Sequence, residues 1–375
     1  MAGLYIHVPF CSKRCLYCDF VSNTDMRYKE PYVAALIQEM ALRAPYLSGE
    51  PIETIYFGGG TPSQLSASDF RTLFEVIQKH FTLMPEMEIT LEANPDDLSA
   101  SYIQCLRTLP FNRLSMGIQS FHDDDLRLLN RRHTAAQAIE AVDRCQQAGL
   151  TNLSIDLIYG LPSQTKTAWE DNLAQALALQ VPHLSAYHLT YEKGTALYRL
   201  LEEGKVQPVE EEVSLSLFNT LIDQLAEAGY QHYEISNFAK PGFYSRHNSS
   251  YWIGKSYLGL GPSAHSYNGR EREWNVASLP IYIKGIERGE PQLEREELDL
   301  PTRYNDFVIT RLRTQWGIAC DELVSTFGEK WLSYCLQQAQ RSLQQGLLTH
   351  EEGRLRLSRR GLFLSDGVMS DLLWV

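Results

Sequence analysis

Six short apolar runs alternate with amphipathic stretches across the first half of the chain, and this alternation constrains the fold more than any other feature. The runs are Leu4–Val8, Thr54–Phe57, Glu88–Glu92, Arg113–Ile118, Asn152–Leu157 and His183–His188. Between them Tyr32, Val33, Leu36, Ile37, Met40 and Ala41 keep a helical period, as do Ala135, Ala138, Ile139 and Val142. Ser66, followed three residues later by Asp69, supplies a helix start. Strand–helix repetition of this kind builds parallel strands joined by right-handed crossovers. The spacing predicts an α/β fold whose sheet curves into a partial barrel. A flat doubly wound sheet is the competing arrangement, and periodicity alone does not separate the two.

After about Tyr191 the alternation stops. Glu210–Ala228 reads as one helix, and Tyr244–Gly269, rich in aromatics and glycine, as an irregular connection. From about Thr302 the pattern is helical again. Leu347-Leu348-Thr349 and Arg354-Leu355-Arg356-Leu357 flank the turn-like Glu352-Gly353, which predicts a two-stranded wing. A helix after Ser358 would complete a winged-helix-like module. The expected organisation is a barrel over residues 1–200, a connecting segment over 201–300 and a smaller α-rich C-terminal domain over 301–375.

The net charge of −12 argues against general affinity for nucleic acid, which needs a basic footprint. The local cluster Arg354, Arg356, Arg359 and Arg360 reads as a solvated face. No segment is long and apolar enough to span a bilayer. The N-terminus runs straight into the strand-like Leu4–Val8 without the pattern of a secretion signal, so a cytoplasmic location is expected. Three of the seven cysteines crowd into eight positions, which in a reducing compartment reads as metal binding rather than a disulfide framework.

Cys11-x3-Cys15-x2-Cys18 can wrap one compact iron–sulfur cluster from a single loop. Three thiolates on a four-iron cube leave one iron without a protein ligand, and an open coordination position marks a reactive metal site. The alternative is a structural zinc completed by His7 or a distant cysteine. Gly58-Gly59-Gly60-Thr61-Pro62 follows the second strand, where glycines let backbone approach a ligand closely; the Gly-Lys-Ser/Thr ending of a phosphate loop is absent. Glu92, Gln119 and Asp156 sit at or near the ends of successive strands, the edge of a parallel barrel that faces its site. Each alone reads as a solvated loop residue; their recurrence points to a shared ligand.

Cysteines at this spacing after a first strand resemble the radical-SAM superfamily. The resemblance implies a 4Fe–4S cluster on Cys11, Cys15 and Cys18, with S-adenosylmethionine (SAM) chelating the open iron. Tyr5-Ile6-His7-Val8-Pro9-Phe10-Cys11, Gly58–Pro62, Leu91-Glu92-Ala93-Asn94-Pro95, Ser115–Phe121 and Ile155–Pro162 resemble the branch that contains the oxygen-independent coproporphyrinogen III oxidases. That resemblance covers about the first 270 residues. It implies SAM contacts at Tyr5, Tyr17, Gly59, Gly60, Thr61, Glu92, Gln119, Arg131 and Asp156, with Tyr187 and Thr190 as further carry-overs.

The chain departs from the oxidases at Phe20, where they carry a further cysteine, and at its N-terminus, where only Met1-Ala2-Gly3 precede the first strand. In both respects it resembles the HemW-type heme chaperones. His247-Asn248-Ser249-Ser250-Tyr251-Trp252 matches their HNxxYW motif, which implies heme bound through His247. A helix there would put His247 and Tyr251 on one face. Tyr244, Trp252 and Tyr257 could wall a flat ligand, and Arg246 could meet a propionate. By residue type alone the same motif also fits a structural turn with core aromatics, and His265 is a competing ligand. The resemblance implies a protein that carries heme to acceptor proteins, takes an electron for its cluster from a donor, and can touch a membrane peripherally if its acceptors lie there. Oxidative decarboxylation of coproporphyrinogen is the alternative and is not expected here. Radical modification of RNA is a third option that the acidic balance opposes.

Overall fold

The computed structural model describes all of residues 1–375. The six expected strands form as β1 (Ala2–Val8), β2 (Ile52–Gly59), β3 (Leu83–Ala93), β4 (Arg113–Gln119), β5 (Leu153–Tyr159) and β6 (His183–His188). They lie side by side in chain order, each parallel to the next. One face packs on the crossover helices. On β1 that face is Leu4, Ile6 and Val8, all fully buried, while Tyr5 and His7 turn to the other side, as strand alternation requires. The helix Ala67–His80 starts where the sequence indicated. The Ser66 hydroxyl accepts from the Asp69 N–H at 3.2 Å and the Asp69 carboxylate accepts from the Ser66 N–H at 2.8 Å.

The irregular connection expected over Tyr244–Gly269 is instead ordered secondary structure. It holds a helix (Arg246–Trp252) and two further strands. The strands that follow β6 are β7 (Gln231–Glu234), β8 (Asn237–Ala239), β9 (Tyr257–Leu260), β10 (His265–Tyr267), β11 (Glu271–Asn275) and β12 (Leu293–Glu297). All six join the main sheet, whose order is β12-β11-β10-β9-β1-β2-β3-β4-β5-β6-β8-β7. β9 runs parallel to β1, with Gly3 opposite Tyr257, and β8 runs antiparallel to β6. Residues 201–300 therefore cap both edges of the parallel core, pairing Gly3–Ile6 of β1 and His183–Ser185 of β6. A buried ion network anchors the extension. Arg43 donates to the Glu273 carboxylate at 2.8 Å and to the Gly259 carbonyl at 2.9 Å. Glu39 accepts from the Tyr282 hydroxyl at 2.6 Å and from the Gly261 N–H at 2.8 Å.

The C-terminal part has its own core around Tyr304, Trp331, Cys335, Leu348, Leu355 and Val368. The expected wing forms as β14 (Leu348–Glu351) and β15 (Arg354–Leu357), closed at Glu352-Gly353, and a short β13 (Ile318–Ala319) adds a third strand. A helix follows Ser358 as anticipated. Arg359 of the basic cluster pairs with Asp223 on the surface. No helix of the chain is long and apolar enough to cross a membrane.

Candidate functional site

The loop after β1 carries Cys11, Cys15 and Cys18 over the C-terminal edge of the parallel strands, where all three line one cavity of about 500 Å³. Tyr17, Gly59, Gly60 and Thr61 line the same cavity, and so do Glu92, Gln119, Arg131 and Asp156, drawn from three further strands and the loop after β4. Tyr187 and Thr190 at the end of β6 complete it. Thirteen residues from across about 180 positions thus meet because parallel strands bring their C-terminal ends to one rim.

The thiols are set in a polar frame. Thr61 Oγ1 donates to Cys11 Sγ at 3.5 Å, and Arg131 donates to Cys15 Sγ at 3.3 Å and to Asn94 Oδ1 at 2.6 Å. Burial pushes the Cys11 thiol up and the Cys18 thiol up to about 11. A metal that supplies positive charge is what would hold them as thiolates. Glu92 accepts from the Tyr56 hydroxyl at 2.7 Å and from the Gly59 N–H at 3.2 Å, yet burial raises it to about 7. Burial likewise raises Asp156, which accepts from the Ser115 hydroxyl at 3.3 Å, to about 6. Two poorly solvated carboxyls and a buried Arg131 Nε with no partner mark a cavity whose polar groups await a ligand. Gln119 closes β4 with φ of 73°, a strained conformation of the kind found at binding sites.

The glycine run does more than admit a ligand. Gly59 has φ of +104°, and a Cβ there would fall 2.6 Å from the His7 ring; at Gly60 it would fall 2.9 Å from the Val8 and Phe10 carbonyls. The run lets the cysteine loop lie directly on β2. Asn94 also lines the cavity, although only its stretch and not its role was legible in the sequence. Its place two residues beyond Glu92 on an extended chain was the available signal.

Tyr5 and His247 stand apart from this cavity. Tyr5 stacks on Tyr56 at 6.1 Å and bonds His7 Nδ1 through its hydroxyl at 3.3 Å. His247 does begin a helix, and Tyr251 one turn later shares its face, but the two residues bond each other, Nε2 to hydroxyl, at 2.8 Å. The other ring nitrogen bonds Thr54 Oγ1 at 2.8 Å, and the ring stacks on Tyr56 at 5.0 Å. Glu88 accepts from the Arg246 and His247 N–H groups at 3.0 and 2.9 Å, which fixes the helix beneath the N-terminal ends of β2 and β3. His247 is 1% exposed and lines neither cavity. Burial lowers its imidazole to about 3, so it is neutral.

A second cavity, of about 760 Å³, lies beside the first. Tyr5, His7, Tyr257, His265, Tyr267 and Arg272 furnish one wall, the continuation of the inner barrel face onto β9–β11. Arg303, Asp306, Phe307, Thr310 and Arg311, spaced as one helix face, furnish the other from the C-terminal domain. Phe20, 59% exposed, lines both cavities. Phe20 is the partition between them.

Comparison with known proteins agrees with this architecture. Residues 5–176 match the Radical SAM superfamily and residues 298–364 the HemN C-terminal domain. The chain is 33% identical to the heme chaperone HemW of Bacillus subtilis over its whole length and 99% of that relative's. The chain belongs to the HemW heme-chaperone family. It is also 33% identical to the Mycobacterium tuberculosis HemW, over 99% of this chain and 94% of that one. A zebrafish relative, radical S-adenosyl methionine domain-containing protein 1, mitochondrial, is 31% identical over 99% of this chain and 87% of its own. Among solved structures, the Escherichia coli coproporphyrinogen III oxidase HemN, a radical SAM enzyme, superposes with a TM-score of 0.86 at 25% identity, covering 99% of this chain and 89% of that one. HemW relatives and the oxidase thus share one barrel, and the difference between them has to lie in the residues set upon it.

Proposed function

We propose that this protein binds heme and delivers it to acceptor proteins, holding a 4Fe–4S cluster on Cys11, Cys15 and Cys18 and SAM beside it. The observation that carries the reading is the pairing of two adjoining cavities, one with three thiols and buried carboxyls, the other large, aromatic and cationic. The cysteine set, the buried Arg131 and the raised Glu92 and Asp156 fit a cluster with a cationic, hydroxyl-bearing ligand next to it. When bound, the cluster supplies an electron to the SAM sulfonium. The chain's own residues do the rest. Glu92 and Asp156 would accept from the ligand's hydroxyl and amino groups, Arg131, which holds Cys15, would meet its carboxylate, and Tyr17 would wall its adenine.

The test is direct. Anaerobically reconstituted protein should hold about four irons per chain, and SAM should alter the spectrum of the reduced cluster. Hemin should bind stoichiometrically and pass to an apo-heme protein. Absence of hemin binding would refute the chaperone reading. Turnover of coproporphyrinogen III on the order of 1 per second would transfer the protein to the oxidases; the ring of Phe20 in place of a cysteine argues against that outcome.

A further inference from the structure

We infer that the heme iron is held by His265 in the cavity between the sheet extension and the C-terminal domain, with Arg303 facing a propionate, while His247 is a positioning residue that closes the barrel floor. The inference rests on the proposed heme binding and goes beyond it by naming the ligand.

Three histidines stand near the cavity, and their hydrogen bonds separate them. His247 spends both ring nitrogens on Thr54 and Tyr251. His7 spends both on the Val21 carbonyl and the Tyr5 hydroxyl. To ligate iron, either would have to break a buried hydrogen bond and leave its partner unsatisfied, which costs about 1–3 kcal/mol. His265 lines the cavity, stacks on Trp274 at 5.6 Å, and has no hydrogen bond at either ring nitrogen. It sits on β10 opposite Trp274 of β11, one strand repeat from Tyr267, so all three present the same face. An imidazole held by stacking with both nitrogens free is the donor that an axial position on a flat metal macrocycle requires.

The cations sort in the same way. Arg272 pairs with Asp306 at 2.6 Å, and Arg311 pairs with Glu322 at 2.6 Å while also donating to the Ile253 carbonyl. Arg303, on the same helix face as Asp306 and Phe307, has no carboxylate within ion-pair distance and lines the cavity. Aromatic walls from Tyr257, Tyr267 and Phe307, one free imidazole and one unpaired guanidinium together describe a flat, apolar, iron-bearing anion.

His247 has a separate task. Its ring fills the space left by Gly3, where a Cβ would fall 3.0 Å from Thr54 Oγ1 and 3.3 Å from the His247 ring. Its two bonds tie β2 to Tyr251, whose ring lines the cavity and meets Tyr257 edge-on at 4.6 Å.

The test is a titration of the full chain with hemin and with metal-free protoporphyrin, read by absorption and by EPR of the ferric iron. His265→Gly should lose the wild-type ferric spectrum and regain it on adding free imidazole, while its affinity for metal-free protoporphyrin stays at the wild-type value. Arg303→Ala should weaken both ligands by up to about fivefold, the share of a part-exposed ion pair, without altering the spectrum. His247→Gln, which can keep a hydrogen bond to each partner, should retain the wild-type ferric spectrum. A wild-type spectrum in His265→Gly, or its loss in His247→Gln with imidazole restoring it, overturns the assignment. Failure of the wild-type chain to bind hemin at all instead refutes the chaperone reading itself.

Discussion

Glu92 offers a sharp test of the SAM cavity, because burial sets its charge at odds with its surroundings. Burial lifts its carboxyl from the ordinary 4.5 to about 7. At about 1.36 kcal/mol per unit this is about 3 kcal/mol of differential stability, and since the cavity leaves the largely buried side chain some access to solvent we discount it to about 2 kcal/mol. The sign follows from proton counts. Between pH 4.5 and 7 the folded protein holds a proton that the unfolded chain has released, so stability falls as pH rises through that window and the full penalty applies above it. Glu92→Gln removes the ionisable group. It also disturbs the bonds from Tyr56 and Gly59, at a cost of about 1 kcal/mol that does not depend on pH. The readout is therefore the change in the variant's thermal midpoint relative to wild type between pH 5 and pH 8. With about 2.1 cal/mol/K per residue over roughly 300 residues of barrel, about 2 kcal/mol corresponds to about 3 °C. Thermal unfolding of metal-free protein, followed by near-UV circular dichroism at constant ionic strength, should show the Glu92→Gln midpoint gaining about 3 °C on wild type from pH 5 to pH 8. A constant difference at both pH values would mean that Glu92 is solvated and ionised, and the account of the cavity as a site waiting for a polar ligand would fail.

Replacing Cys11, Cys15 or Cys18 by Ala should abolish or strongly reduce iron loading, whereas Cys105, Cys145, Cys320 and Cys335 can be replaced without loss; iron and sulfide analysis checks this. Gly59→Ala should destabilise by about 1–3 kcal/mol and impair SAM binding together, because its positive φ and the His7 ring both oppose a Cβ; urea unfolding and the SAM-dependent cluster spectrum report the two effects. Arg43→Met should cost about 3–5 kcal/mol, since it strands Glu39 as a buried carboxylate without a cation and leaves Glu273 only its pair with Arg295. Hydrogen exchange should locate the resulting loosening at β9–β11.

The sequence by itself determined the parallel core and which polar residues gather at its rim. β1–β6 were legible because each is an apolar run separated from the next by a helix-period stretch, a local signal that needs no partner to be read. Glu92, Gln119 and Asp156 were legible for a related reason: once parallel strands are assigned, their C-terminal ends must share one edge; the cysteine loop was legible from its spacing, and Arg131 only through the family resemblance. Only the tertiary structure decided the rest. β10–β12 are short or charged, as in Leu293-Glu-Arg-Glu-Glu, and become strands because they extend the sheet beyond β9, which covers the free edge of β1. Whether His247 or His265 has a free ring nitrogen depends on Thr54, nearly 200 positions away from His247, and on Trp274 across a strand pair. A motif names the residue types; hydrogen bonds made across the fold decide which of them is left over to bind.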